Sequence, residues 1–359
     1  YALIYRAYYA FIKNPRINSK GFNTSAILGF VNTLEEVLKK ENPTHIGVAF
    51  DPAGPTFRHE AFEQYKAQRE ETPEAIRLSV PIIKEIIRAY RIPILEVAGY
   101  EADDVIGTLA TEAGRQGIIT YMMTPDKDYG QLVSDKVFMY RPKHTGGFEV
   151  MGVDEVKAKF DIQSPAQVID MLGLMGDSSD NIPGCPGVGE KTAQKLIAEF
   201  GSIENLLEHT DQLKGALKTK VETNREMITF SKFLATIKID VPIQLDMDSL
   251  VREQADEDSL RQIFEELEFR TLIDRVLKKE NAGNGITTPT GNKTAAEKSN
   301  LAPLPLFPEE GGAVQGDLFA NFTGNEPGEA KNSNLATLET LNCDYQLIDT
   351  EEKRTKIIQ

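Results

Sequence analysis

Acidic residues recur where apolar runs end, and that recurrence limits what this chain can fold into. Residues 92–97 read as a buried strand, and the following Gly99-Tyr-Glu-Ala-Asp-Asp-Val105 turns into a helical pattern near Asp103. Glu101, Asp103 and Asp104 are thereby set at a strand-to-helix junction. Asp51 follows the apolar run 46–50, Asp126 and Asp128 follow 117–123, and Asp177 and Asp180 follow an apolar helical run. One or two acids would serve as helix caps; eight at such junctions exceed that need. Ligands of open α/β sheets bind beyond the carboxyl ends of the strands, and carboxylates gathered there repel unless cations lie among them. Oxygen-only donors suit Mg²⁺ or Mn²⁺. The acids are therefore expected to converge on a metal site.

Strands alternating with helices over 1–152 predict an α/β fold, a mostly parallel central sheet with helices on both faces. Residues 137–140 and 147–150 add a hairpin or edge strand. Residues 23–40 predict a helix with Ile27, Phe30, Val31, Leu34 and Leu38 on its buried face. Thr72-Pro73 starts another, with Ile76, Val80, Ile83, Ile87 and Tyr90 inward. Residues 1–12 form an aromatic-rich amphipathic helix, suited to core packing or to base stacking. Between 57 and 80 lie Arg58, Lys66 and Arg69, the densest cations near the acids, with Tyr65 beside them; on a helix Lys66 and Arg69 would share a face. Little apolar striping between Glu60 and Glu71 makes an arch over the site the competing reading.

From 153 to 280 the pattern is helical. Its centre, Asn-Ile-Pro-Gly184-Cys-Pro-Gly187-Val-Gly189-Glu-Lys191-Thr192-Ala193, opens a helix striped by Ala193, Leu196, Ile197 and Phe200 and closed by Gly201. Glycines ahead of a helix let backbone N–H groups approach a phosphate. Glu190 breaks the nucleotide-binding P-loop pattern, so a nucleic-acid backbone is the better ligand. Residues 281–334, rich in Gly, Asn, Pro and Thr, read as a flexible linker, and 335–359 as the start of a further domain. The net charge of −15 divides into −5 over 281–359 and −10 over 1–280, most of the latter from the eight acids. Nucleic-acid binding would then depend on local basic patches. Two distant cysteines make no disulfide framework and fit a reducing compartment, and no apolar run has membrane-spanning length.

The runs FDPAGPTFRHEAFEQYK, GYEADDV, TPDKD and GDSSDNIPGCPGVGEKTA resemble, in order and spacing, the 5′-nuclease domains of the flap endonuclease family carried by bacterial DNA polymerases. The resemblance covers residues 1 to about 280. It implies a PIN-like 5′-nuclease fold with a helix–three-turn–helix DNA-binding subdomain. It implies two metal ions held by Asp51, Glu101, Asp103, Asp104, Asp126, Asp128, Asp177 and Asp180, with Asp103 and Asp128 central to catalysis. Lys66 and Arg69 fall on the family's active-site cations, Arg58 and Tyr65 on its arch entrance. Gly184, Gly187, Gly189, Lys191 and Thr192 fall on its DNA clamp, where a K⁺ ion can also bind. The family's first metal-binding Asp would lie one or two residues before Tyr1, which bears on this chain's activity. The implied reaction removes 5′ flaps and RNA primers at nicks, by a monomer in the bacterial cytoplasm at the nucleoid, during nick translation and repair. Residues 335–359 resemble the opening of a 3′–5′ exonuclease-like domain. Gln315, Asp317, Leu318 and Phe319 resemble the peptide that docks replication proteins on the sliding clamp. The alternatives are a DNA-structure-binding module with impaired catalysis and a haloacid dehalogenase-type phosphatase built on Asp126 and Asp128.

Overall fold

The computed structural model describes residues 1–143 and 147–277. The linker, the segment 335–359 and the clamp-type peptide at Gln315, Asp317, Leu318 and Phe319 lie outside the described residues.

Helices α1 (Ala2–Ala10) and α2 (Ser25–Lys40) pack together, with Ile4, Ile27, Phe30, Val31, Leu34 and Leu38 buried. The 3.6-residue period of α2 gives this continuous inward face. Strand β1 (Val48–Ala49) leads to the short α3 (Phe57–Ala61), then α4 (Glu74–Ala89), β2 (Ile94–Leu95) and α5 (Ala102–Arg115). The anticipated stripe of α4 is buried, and Tyr90 just beyond it donates 2.6 Å to Glu35 inside the core. Residues 62–73 are not helical. Lys66 takes a left-handed φ of 56° there, and Lys66 and Arg69 meet through a turn, not along a helix face.

The sheet is smaller than expected and divided. β1 pairs with β2 in parallel over two residues each; β3 (Thr120–Met123) pairs in parallel with β4 (Val137–Pro142), which pairs antiparallel with β5 (Phe148–Met151). β1 and β2 form a two-stranded sheet of their own, and each leads into an acid-bearing turn. The hairpin reading of β4 and β5 holds. Met122, Met139 and Met151 face one core with Val156 and Val168.

After α6 (Val153–Phe160) come α7 (Gln167–Met175), α8 (Glu190–Phe200), α9 (Ile203–Glu208), α10 (Gly215–Thr223) and α11 (Arg225–Ala235), packed around Leu174, Val188, Leu196, Leu206 and Ile228. The stripe of α8 and its Gly201 stop match the spacing read from sequence. The helical region does not stay one unit to residue 280, however. Beyond α12 (Met247–Leu250), α13 (Glu257–Glu266) and α14 (Arg270–Leu277) return to the first core. There Leu260, Phe264 and Leu272 share a cluster with Ile27 and Ile83. The apolar face of α13 finds its partner on α2 and α4, a pairing no local pattern encodes.

One backbone contact positions the last two acids. Gly176 and Gly184 both have positive φ, and a Cβ on Gly184 would stand 2.3 Å from the Gly176 nitrogen. The loop between them, closed by the Asp177–Ile182 bridge, carries Asp177 and Asp180. Gly184→Ala is expected to destabilise the chain by roughly 2–5 kcal/mol, combining backbone strain and overpacking. Urea unfolding measures this; a change below 1 kcal/mol would mean the loop relaxes freely.

Candidate active site

Arg58, on α3, is the centre of the arrangement although sequence reading assigned it to a DNA-facing surface. It is only 2% exposed. Its NH1 donates to Asp104 Oδ2 at 2.8 Å and Glu101 Oε2 at 3.0 Å, and its NH2 to Asp104 Oδ1 at 2.8 Å and the Thr236 carbonyl at 2.7 Å. Nε donates to the Leu234 carbonyl at 2.9 Å. All five guanidinium N–H groups are thus used. Burial opposes its charge, but Asp104 and Glu101 raise its pKa above the ordinary value. As placed, Arg58 cannot reach DNA.

Asp104 is likewise corrected. Its Oδ1 accepts from Arg58 and from the Lys238 N–H, and its Oδ2 from Arg58 and from the Glu101 N–H. The residue is fully buried, with every acceptor site taken, so it holds the architecture and has none left for a metal ion.

The other acids line up around it. Glu101 caps α5. Its Oε1 accepts from Lys66 Nζ at 2.6 Å. Asp51 Oδ1 accepts from the Ala102 N–H at 2.8 Å, so an acid after β1 caps the helix after β2. Asp103 Oδ1 accepts from the Tyr129 hydroxyl at 2.7 Å. Asp126 accepts from the Asp128 N–H at 2.9 Å, opening a 3₁₀ turn over Lys127–Leu132. Asp177 is held by Ser179 and by Lys127 Nζ at 2.9 Å. Asp180 Oδ1 accepts from Arg69 at 2.6 Å, while its Oδ2 lies 3.5 Å from Lys66 Nζ. The Tyr65 hydroxyl lies 3.0 Å from both Glu101 Oε2 and Asp180 Oδ2. Tyr65 is 3% exposed and belongs to the core, another correction to the DNA-facing assignment.

Electrostatics tie the separate stretches together. Burial first, then Asp126, pushes Asp103 up to about 7, with Glu101 and Asp51 adding to the shift against Lys66. Asp128 is driven well above the carboxylate range by burial and by Asp126, Asp177 and Asp180, against Lys127. For Asp180, burial acts upward but Lys66 and Arg69 prevail, and its pKa is lowered. Acids from four parts of the chain therefore share one field.

Among the described residues, no group of three or more His, Cys, Asp or Glu side chains is arranged to hold a metal ion. Lys66, Arg69 and Lys127 pair with the carboxylates as counter-charges. The donor set still fits a hard cation. It is all oxygen, and Asp128 Oδ1 is buried without a hydrogen-bond partner. Spacing found the acids, but it gave no sign of Lys127 and Tyr129 as their partners; a Tyr after two acids reads as core.

The proposed DNA clamp divides. Gly184 is buried against Gly176, its N–H donating to Ser231 Oγ, and is not available to a phosphate. Gly187, Gly189 and Lys191 are exposed and Thr192 half-buried at the start of α8, with Lys220 Nζ 3.4 Å from the Gly187 carbonyl.

Comparison with known proteins agrees with the fold. Residues 1–161 match the family described as 5′-3′ exonuclease, N-terminal resolvase-like domain, and 163–258 that described as 5′-3′ exonuclease, C-terminal SAM fold. The fold is that of T5 5′-exonuclease, solved with bound zinc (TM-score 0.55, 21% identity, 75% of this chain and 96% of that one). The catalytic core of Rad2 in complex with DNA substrate is similar too (TM-score 0.52, 19% identity, 77% and 90%). The chain belongs to the 5′-3′ exonuclease family. It is homologous to the corresponding part of DNA polymerase I, being 42% identical to that of Bacillus caldotenax over 273 residues. That match takes in 75% of this chain and 31% of the relative, so the chain spans under a third of the curated protein.

In the ion-free fold Asp128, pushed well above the carboxylate range, must take up a proton that the unfolded chain does not bind, and Asp128→Asn removes that cost. Without divalent ions it is expected to raise Tm by roughly 1–2 °C, the effect of about 1 kcal/mol in a chain of this size. Mn²⁺ is expected to raise the Tm of the parent, and the variant to blunt that rise. Differential scanning calorimetry with and without Mn²⁺ tests this; a less stable ion-free variant contradicts that cost.

Proposed function

We propose that this chain hydrolyses phosphodiester bonds at the 5′ ends of DNA, at 5′ flaps and at RNA primers, as a structure-specific 5′–3′ exonuclease and flap endonuclease. The observation that carries the reading is the meeting of Lys66 and Arg69 with Glu101 and Asp180 beside Asp103, Asp126 and Asp128. Phosphate-seeking cations and metal-seeking carboxylates occupy one place, as phosphoryl hydrolysis requires.

In this reading Asp51, Glu101 and Asp103 would hold one Mg²⁺ or Mn²⁺ ion, and Asp128, Asp177 and Asp180 would hold a second, with Asp126 available to either. Bound there, divalent ions supply an activated water and stabilise the leaving oxygen. The chain's own contribution is placement. Lys66 and Arg69 turn from their carboxylates to the scissile phosphate and offset the charge that grows on it. The start of α8, with Gly187, Gly189, Lys191 and Thr192, holds the neighbouring duplex by its phosphates without reading sequence, and its carbonyls can take a K⁺ ion. Arg58 and Asp104 touch no substrate and keep the other residues in register.

Similarity to part of DNA polymerase I supports a wider role of the following kind. The chain would act as a monomer in the cytoplasm within a longer polymerase, clearing 5′ ends during nick translation. The peptide at Gln315, Asp317, Leu318 and Phe319 would tether it to the sliding clamp through an apolar Leu-Phe pair.

A labelled 5′-flap duplex in Mg²⁺ or Mn²⁺ tests the core of this. Cutting near the junction is expected, abolished by Asp128→Ala with flap binding retained, and slowed by Lys66→Ala about 10²–10³-fold in kcat. Binding without cutting by the parent would identify a DNA-structure-binding module instead. A phosphoaspartate trapped at Asp126 would identify a phosphatase.

A further inference from the structure

Tyr129 takes no part in the mechanism above, yet it touches the site. It is 2% exposed, its ring packs in the core with Met122, Val133, Val156 and Leu172, and its hydroxyl meets Asp103 Oδ1 at 2.7 Å. The residue sits in the 3₁₀ turn Lys127–Leu132, directly after Asp128. Asp103 sits in the first turn of α5. One short hydrogen bond therefore joins the two acid-bearing turns.

We propose that Tyr129 is a positioning residue that fixes the Asp103 carboxylate for a divalent cation, a role resting on the metal-site reading above. The geometry supports this in three respects. The ring is wedged in the core, so the hydroxyl has little freedom to follow Asp103; the carboxylate must come to it. The bond engages Oδ1 and leaves Oδ2 for a cation, dividing the acid between a support and a ligand. A phenol O–H can only donate to an ionised carboxylate, so it stabilises the form that binds metal without neutralising it as Lys or Arg would. Contrast Asp104, next in sequence, whose four acceptor sites are consumed by Arg58 and two backbone N–H groups. Neighbouring aspartates are thus assigned to scaffold and to ligand by what donates to them. Partners of this kind typically change metal affinity 10–100-fold when removed.

Tyr129→Phe deletes the hydroxyl and keeps the ring. Mn²⁺ binding to the full 359-residue chain, followed by the electron paramagnetic resonance of free Mn²⁺ at a temperature where parent and variant are both folded by circular dichroism, reads the effect. Affinity is expected to fall roughly 10–100-fold. In flap cutting the loss is expected in the Mn²⁺ concentration for half-maximal rate, with the rate at saturation largely recovered. A purely structural role would lower folding stability without moving Mn²⁺ affinity, and that result overturns the proposal. Asp103→Asn, measured alongside, separates the two levels of the argument. If it weakens Mn²⁺ binding while Tyr129→Phe does not, only the positioning role fails. If Asp103→Asn also binds Mn²⁺ like the parent, Asp103 is no ligand and both readings fall.

Discussion

The structure depends on one buried cation. Arg58 joins α3, the first turn of α5 and the end of α11 through five hydrogen bonds, in a place that water barely reaches. A guanidinium there is tolerable only because two carboxylates and two carbonyls surround it; removing one partner of such a group commonly costs about 3–5 kcal/mol. Its planar fork matches the Asp104 carboxylate, and Lys, with one nitrogen, could not span the same partners. The helical region and the α/β core are thereby held in one orientation. Glu101, itself bound to Arg58, takes its place from that anchorage.

This arrangement explains how neighbouring residues of one chemical type acquire different tasks. Asp103 and Asp104 follow each other on α5, yet the helix points them about 100° apart. Asp104 turns inward to Arg58, and Asp103 turns toward the other acids. Lys66 illustrates the same principle in the backbone. Its left-handed φ carries a strain of order 1–3 kcal/mol, offset by its N–H bonding the Asp180 carbonyl and its ammonium meeting Glu101. Those contacts hold the cation close to the acids against the strain.

Much of this was legible from residue order. The inward faces of α2, α4 and α8 follow from apolar spacing, because a helix repeats locally and needs no knowledge of its partner. The acids after β1, β2 and β3 were visible because strand ends are local too. Three features were not. Arg58 reads as a surface cation until Leu234 and Thr236, some 176 and 178 residues away, supply the carbonyls that bury it. Tyr65 reads as an exposed aromatic until Glu101 and Asp180 meet its hydroxyl. The return of α13 and α14 to the first core depends on a face of α2 and α4 left open by the chain that lies between them. In each case the deciding partner is distant in sequence, and spacing carries no record of it.

The ion pairs of Lys66 with Glu101 and of Arg69 with Asp180 have a thermodynamic corollary. Whatever draws either carboxylate away strands a positive charge, and whatever anion draws either cation away strands a negative one. Each event lowers the work needed for the other. By linkage the two occupancies must favour one another by the same factor, whichever comes first. A side chain engaged with its own protein is in this way an equilibrium lock, opened from either side and cheapest to open from both at once.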